Sequence, residues 1–130
     1  MIKKITIIGS ILVIAITLVV VLLYANGFYN IMPHLKESEV EFVKLETFDG
    51  RQDQNLDIKT FLKYYNTIYD VRKDDNHGET TPNSRITIQL KSGESIIFWQ
   101  SCGDIDIDLK GEQYWGKQQN IFNLLKNGEY

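Results

Sequence analysis

The hydrophobic pattern divides the chain in two. Residues 5–25 carry no charged side chain, Lys3 and Lys4 stand just before them, and the first acidic residue is Glu37. A helix of about 21 residues is roughly 31 Å long at 1.5 Å per residue, close to the thickness of a bilayer's hydrocarbon core. This predicts a transmembrane helix over 5–25, a short cytoplasmic stretch at 1–4, a tether over 26–38 and one extracytoplasmic domain over 39–130. Asn26-Gly27 and Pro33 break helical periodicity in the tether.

Beyond the tether the period changes repeatedly. Val40, Phe42 and Leu45 alternate with polar residues apart from a slip at Val43, which predicts a bulged strand over 39–48. A polar loop over 49–55 follows. Ile58, Phe61, Leu62, Tyr65, Ile68 and Tyr69 then recur at helical spacing, predicting one amphipathic helix over 57–73. Asn55 or Asp57 would cap its start, and Arg72 and Lys73 suit its negative end. The polar stretch 74–84 reads as a surface loop.

Residues 85–91 and 94–100 form a predicted strand pair around Ser92-Gly93. A two-residue loop pairs Ile88 with Ile97 and Ile86 with Trp99. The core face is then Ile86, Ile88, Leu90, Ile97 and Trp99, with Ile96 and Phe98 on the opposite face. In 104–110 Asp104, Asp106 and Asp108 alternate with Ile105, Ile107 and Leu109. A turn at Lys110-Gly111 sets Ile107 against Tyr114 and Asp106 against Trp115. A last helix over 117–126 turns Ile121, Leu124 and Leu125 inward, and Gly128 suits the position past its end. The fold class is therefore α+β: an antiparallel sheet of about five strands packed by one or two helices, in the order β-α-β-β-β-β-α.

Charge sharpens the picture of the surroundings. The chain's formal charge is -3, and setting aside Lys3 and Lys4 leaves -5 beyond the apolar run. An acidic domain excludes nucleic acid as a partner, because phosphate binding needs clustered Lys and Arg, and it disfavours anionic lipid headgroups. The implied lipid contact is the bilayer around 5–25. The next basic residue after the run is Lys36, so the positive-inside rule puts the N-terminus in the cytoplasm and the domain outside. Tyr24, Phe28 and Tyr29 would fall at the outer interface. A cleaved secretory signal is the competing reading; against it stand the length of the run and large Leu23 where a small residue is preferred. The composition, rich in Ile, Lys, Asn and Tyr, is of the kind AT-rich bacterial genomes encode.

Candidate chemistry is sparse. The single cysteine, Cys102, forms no intrachain disulfide. With neither His34 nor His77 close in sequence, it offers no nucleophile pair and no zinc set. The Asp104, Asp106, Asp108 series resembles the opening of a calcium loop, yet Leu109 and Trp115 stand where glycine and glutamate are required. No cofactor, metal or catalytic residue is assigned. The remaining candidate is an apolar patch of Ile96, Phe98 and Trp115 on the sheet face opposite the core, since exposed apolar patches mark interaction sites. The function expected is a membrane-anchored binding or interaction module of a bacterial envelope, with an envelope protein as partner. The alternatives are an envelope hydrolase and a secreted protein.

Overall fold

The computed structural model describes residues 2–25, 31–73 and 82–130. Helix α1, Ile2–Ala25, is exposed from Lys3 to Leu22 and is long and apolar enough to cross a membrane. Two of its hydroxyls bond within the helix, Ser10 Oγ donating to the Thr6 carbonyl at 3.0 Å and Thr17 Oγ1 to the Val13 carbonyl at 2.8 Å, so neither needs water in a bilayer interior.

The rest is α+β. A 3₁₀ turn at Glu37–Glu39 leads into β1, Val40–Thr47, then β2, Gln54–Leu56, α2, Ile58–Tyr65, and β3, Tyr69–Lys73. A meander follows: β4, Ser84–Leu90, β5, Ser95–Gln100, β6, Ile105–Leu109, and β7, Glu112–Lys117, ending in α3, Gln119–Asn127. All pairings are antiparallel, and the seven strands lie in the order β2-β1-β4-β5-β6-β7-β3. The sheet thus has seven strands rather than about five. The two additional strands are its edges, and α2 crosses one face of the sheet between them.

That face is the core. Leu45, Ile86, Phe98, Ile107 and Tyr114 form one cross-strand row, and Val43, Ile88 and Ile96 a second. The rings of Phe61 and Tyr65, from α2, meet the Phe98 ring edge-on at centroid separations of 6.1 Å each. Ile121, Leu124 and Leu125 of α3 complete the same core, and the Ser84 hydroxyl donates to the Leu125 carbonyl. Both helices pack on this side.

Three expectations are corrected here. The helix expected over 57–73 stops at Tyr65. The Asn66 side chain leaves the helix surface to bracket Leu35, accepting from its N–H at 3.1 Å and donating to its carbonyl at 3.0 Å. The chain then continues as β3, with Asp70 at φ 52 and a bulge between Tyr69 and Arg72. The bulge turns both Ile68 and Val71 inward, three residues apart, which imitates helical spacing; Tyr69 is instead exposed. Gly116 of β7 accommodates this pair, since a Cβ there would lie 3.1 Å from Ile68 Cγ2 and 3.2 Å from Val71 Cγ2.

The second correction is the β4–β5 register. The loop is Lys91-Ser92-Gly93, three residues, with Gly93 at φ 95 and the Leu90 N–H donating to the Glu94 carbonyl at 2.9 Å. A left-handed glycine closing a three-residue loop is a standard hairpin solution. The pairs become Ile88 with Ile96 and Ile86 with Phe98. One residue of slip exchanges the two faces, so Ile96 and Phe98 are in the core and Ile97 and Trp99 are outside it. A bulge between Val40 and Phe42 does the same in β1, burying Val40 and Val43 and leaving Phe42 exposed.

The third concerns the tether. Met32 and Leu35 are buried in the domain core, and Tyr65 Oη donates to the Pro33 carbonyl at 2.8 Å. The domain's packing therefore begins before residue 39. Residues 26–30, with Phe28 and Tyr29, lie outside the described residues, as does His77 in 74–81.

Asp57 caps α2: the Thr60 hydroxyl and N–H donate to its Oδ2 at 2.7 and 2.9 Å. These two bonds hold the carboxyl below its usual pKa. A lowered folded-state pKa contributes stability above the ordinary Asp range, and that contribution is lost as pH falls through the lowered value. Asp57→Ala should therefore lower the urea midpoint at pH 7, and the gap to the parent should narrow steadily in acid. A gap independent of pH would show that the ionised cap does not matter.

Candidate functional site

The face of the sheet opposite the helices is the candidate site. Among the described residues no helix packs on it. Its side chains follow from register. Glu46 pairs with Arg85, Arg85 with Trp99, Trp99 with Asp106, Asp106 with Trp115 and Trp115 with Arg72, one continuous row from β1 to β3. A second row runs Lys44, Thr87, Ile97, Asp108 and Gln113. Phe42 extends the face at 42% exposure; Ile97, Trp99 and Trp115 are half-buried.

The charges on this face compensate one another. Arg85 Nε donates to Glu46 Oε2 at 3.1 Å, and its Nη2 to the same oxygen. Lys44 Nζ is 3.5 Å from Glu46 Oε1. The hydrogen bonds from Arg85, ahead of its charge and that of Lys44, hold the Glu46 carboxyl below its ordinary pKa. At the far edge Asp70 takes Arg72 at 2.8 Å and Lys117 at 3.5 Å. The Arg72 guanidinium also lies over the Trp115 ring, 5.4 Å from its centroid. Ion pairs this exposed contribute little to stability; with Asp106 and Asp108 of the same face counted, four carboxylates stand with four cations, which leaves the face with little net charge.

The patch expected at Ile96, Phe98 and Trp115 does not assemble. Ile96 and Phe98 are buried in the core at 1% and 0% exposure, Phe98 against α2, and Trp115 alone is on the open face. The residues missed there are Ile97 and Trp99. The signal for them was Lys91-Ser92-Gly93, where glycine at the third loop position fits a three-residue turn as well as Ser92-Gly93 fits a two-residue one.

The other candidates are dispersed. Asp106 and Asp108 are spread among the tryptophans and Gln113, and no group of three His, Cys, Asp or Glu able to hold a metal exists among the described residues. Cys102 is exposed at the end of β5, beside a hollow of about 200 Å³ lined by Asn83, Gln100, Ser101 and Phe122. A second hollow, about 260 Å³, shares Gly103 and Phe122 and adds Asp104 and Lys117. Neither lining includes a histidine to activate the thiol. His34 is exposed in the segment before β1. No protein-family model, curated protein or solved structure matches the chain.

Proposed function

We propose that this chain is a single-pass binding module, anchored through α1 with its N-terminus cytoplasmic and its α+β domain on the extracytoplasmic side of a bacterial envelope. The observation that carries the binding role is the sheet face on which, among the described residues, no helix packs, with Ile97, Trp99 and Trp115 on it. Half-buried indoles on an uncovered face are large contact surfaces with little ordering entropy left to lose, and Trp is enriched where binding energy concentrates. The address is supported by Lys3 and Lys4 in the first turn of α1, ahead of its uncharged run 5–25. Chain length adds proximity: only residues 26–31 separate α1 from buried Met32, so the domain's entry point stays within about 25 Å of Ala25.

A photoreactive residue at position 97 in the full-length chain, expressed in cells, should form adducts on illumination. The same residue at exposed position 59 on α2 should not. Equal labelling from both positions, or none from 97, would overturn the binding reading. The intact mass of the membrane-extracted chain checks the anchor, because cleavage of a signal removes about 25 residues.

A further inference from the structure

We propose that Met32–Leu35 is a releasable strap: it undocks from α2 as a unit while the sheet stays folded, and its release roughly doubles the distance the domain can stand from α1. The undocking rests on the domain alone; the change in reach rests on the anchored reading above.

The attachments carry it first. No residue of 31–36 belongs to a helix or a strand, so the strap can leave without breaking a strand pair. Three of its hydrogen bonds go to two consecutive residues at the end of α2. Tyr65 Oη donates to the Pro33 carbonyl, and the Asn66 amide both accepts from the Leu35 N–H and donates to the Leu35 carbonyl. Asn66 thereby serves Leu35 as a neighbouring strand would, but for one residue only, and no ladder continues beyond it. Met32 and Leu35 supply the apolar part. A hollow of about 310 Å³ is lined by Leu35, Ser38 and Glu39 together with Leu90, Lys91 and Ser92 of the β4–β5 hairpin. Toward the hairpin the strap therefore borders open space. A short segment held by two apolar side chains and a few hydrogen bonds opens locally at lower cost than the strands of the core.

The pivot is equally defined. The Glu39 N–H donates to the Lys36 carbonyl at 3.0 Å, and Glu39 Oε2 accepts from the Lys36 N–H at 2.8 Å, which closes the 3₁₀ turn. The Glu39 carbonyl accepts from the Lys91 N–H at 3.0 Å, and Val40 is already paired with Leu90. Undocking therefore ends at Glu39. Docked, the chain is fixed seven residues after Ala25, at Met32; released, it is fixed fourteen residues after Ala25, at Glu39. At about 3.5 Å per residue the reach rises from about 25 Å to about 49 Å. A partner farther from the membrane than the docked tether allows meets only the released state, so its binding shifts the equilibrium toward release.

Amide exchange of the full-length protein in detergent micelles tests the undocking. The Leu35 N–H should exchange at least tenfold faster than those of Ile88 and Ile107, and low urea should accelerate theirs while barely changing its own. A common rate and urea dependence would overturn the strap, and so would a Leu35 N–H with no protection at all. Reach is read separately, from distances between spin labels at exposed positions 24 and 59 of the same chain. Tyr65→Phe with Asn66→Ala removes the three bonds, about fivefold each, and should raise the released population about a hundredfold. Its distance distribution should gain a longer component while its circular dichroism matches the parent's; Asn66→Ala alone should shift it less, in the same direction. Unchanged distances in both variants, with Leu35 protection lost, would overturn the change in reach. An intact mass lacking residues 1–25 refutes the anchor and the reach with it, and exchange still decides the undocking.

Discussion

Phe98→Ser should unfold the domain, and Trp99→Ser should leave it folded. The two residues are neighbours of similar chemistry, and only the sheet register separates them. Phe98 is at 0% exposure with the rings of Phe61 and Tyr65 edge-on against it. Removing a buried phenylalanine costs about 3–5 kcal/mol, and the serine hydroxyl adds the penalty of an unsatisfied buried polar group. A domain this small sits near the lower end of the usual range of about 5–15 kcal/mol, so the loss removes most of its stability. Trp99 is half-exposed on the other face, and its truncation should cost about 1 kcal/mol. Urea midpoints for the two variants decide the matter. The reverse ranking would place Trp99 in the core, as a two-residue turn at Ser92-Gly93 requires.

The second large effect concerns the segment before β1. A fragment starting at residue 39 should be less stable than one starting at residue 31 by about 3–6 kcal/mol, the value of burying two large apolar side chains. Those side chains are Met32 and Leu35, at 6% and 5% exposure. The shorter fragment also strips Asn66 of both its bonds to Leu35 and Tyr65 Oη of the Pro33 carbonyl. Comparison of their urea midpoints at constant slope measures the difference; equal midpoints would reduce the segment to a passive leash. The docking has a mechanical consequence. Met32 and Leu35 are part of the core, so a pull transmitted from α1 reaches Leu35 and α2 before it reaches β1.

Much of the fold is legible without the structure, wherever neighbours in sequence are neighbours in space. The uncharged run of α1 is a property of each residue in it. The strict alternation of Ile105 and Ile107 with Asp106 and Asp108, followed by Lys110-Gly111, specifies β6–β7 with Ile107 against Tyr114 and Asp106 against Trp115 as found. Helix α3, with Ile121, Leu124 and Leu125 inward and Gly128 at φ 79 beyond it, follows from periodicity and one glycine.

The rest depends on contacts between distant parts of the chain. Local pattern allows two loop lengths between β4 and β5. The pairing of Ile86 with Leu45 and of Phe98 with Ile107 selects one of them, and with it the face that carries Trp99. Ile68 and Val71 keep helical spacing, but β7 offers a free edge and a glycine at 116 against which they pack as a bulged strand. Asn66, a poor helix residue, is drawn to the backbone of Leu35, 31 positions earlier. Pattern along the chain encodes which residues prefer burial. Which face they share is set by register, and register is a sum over strands that the pattern of any one strand does not contain.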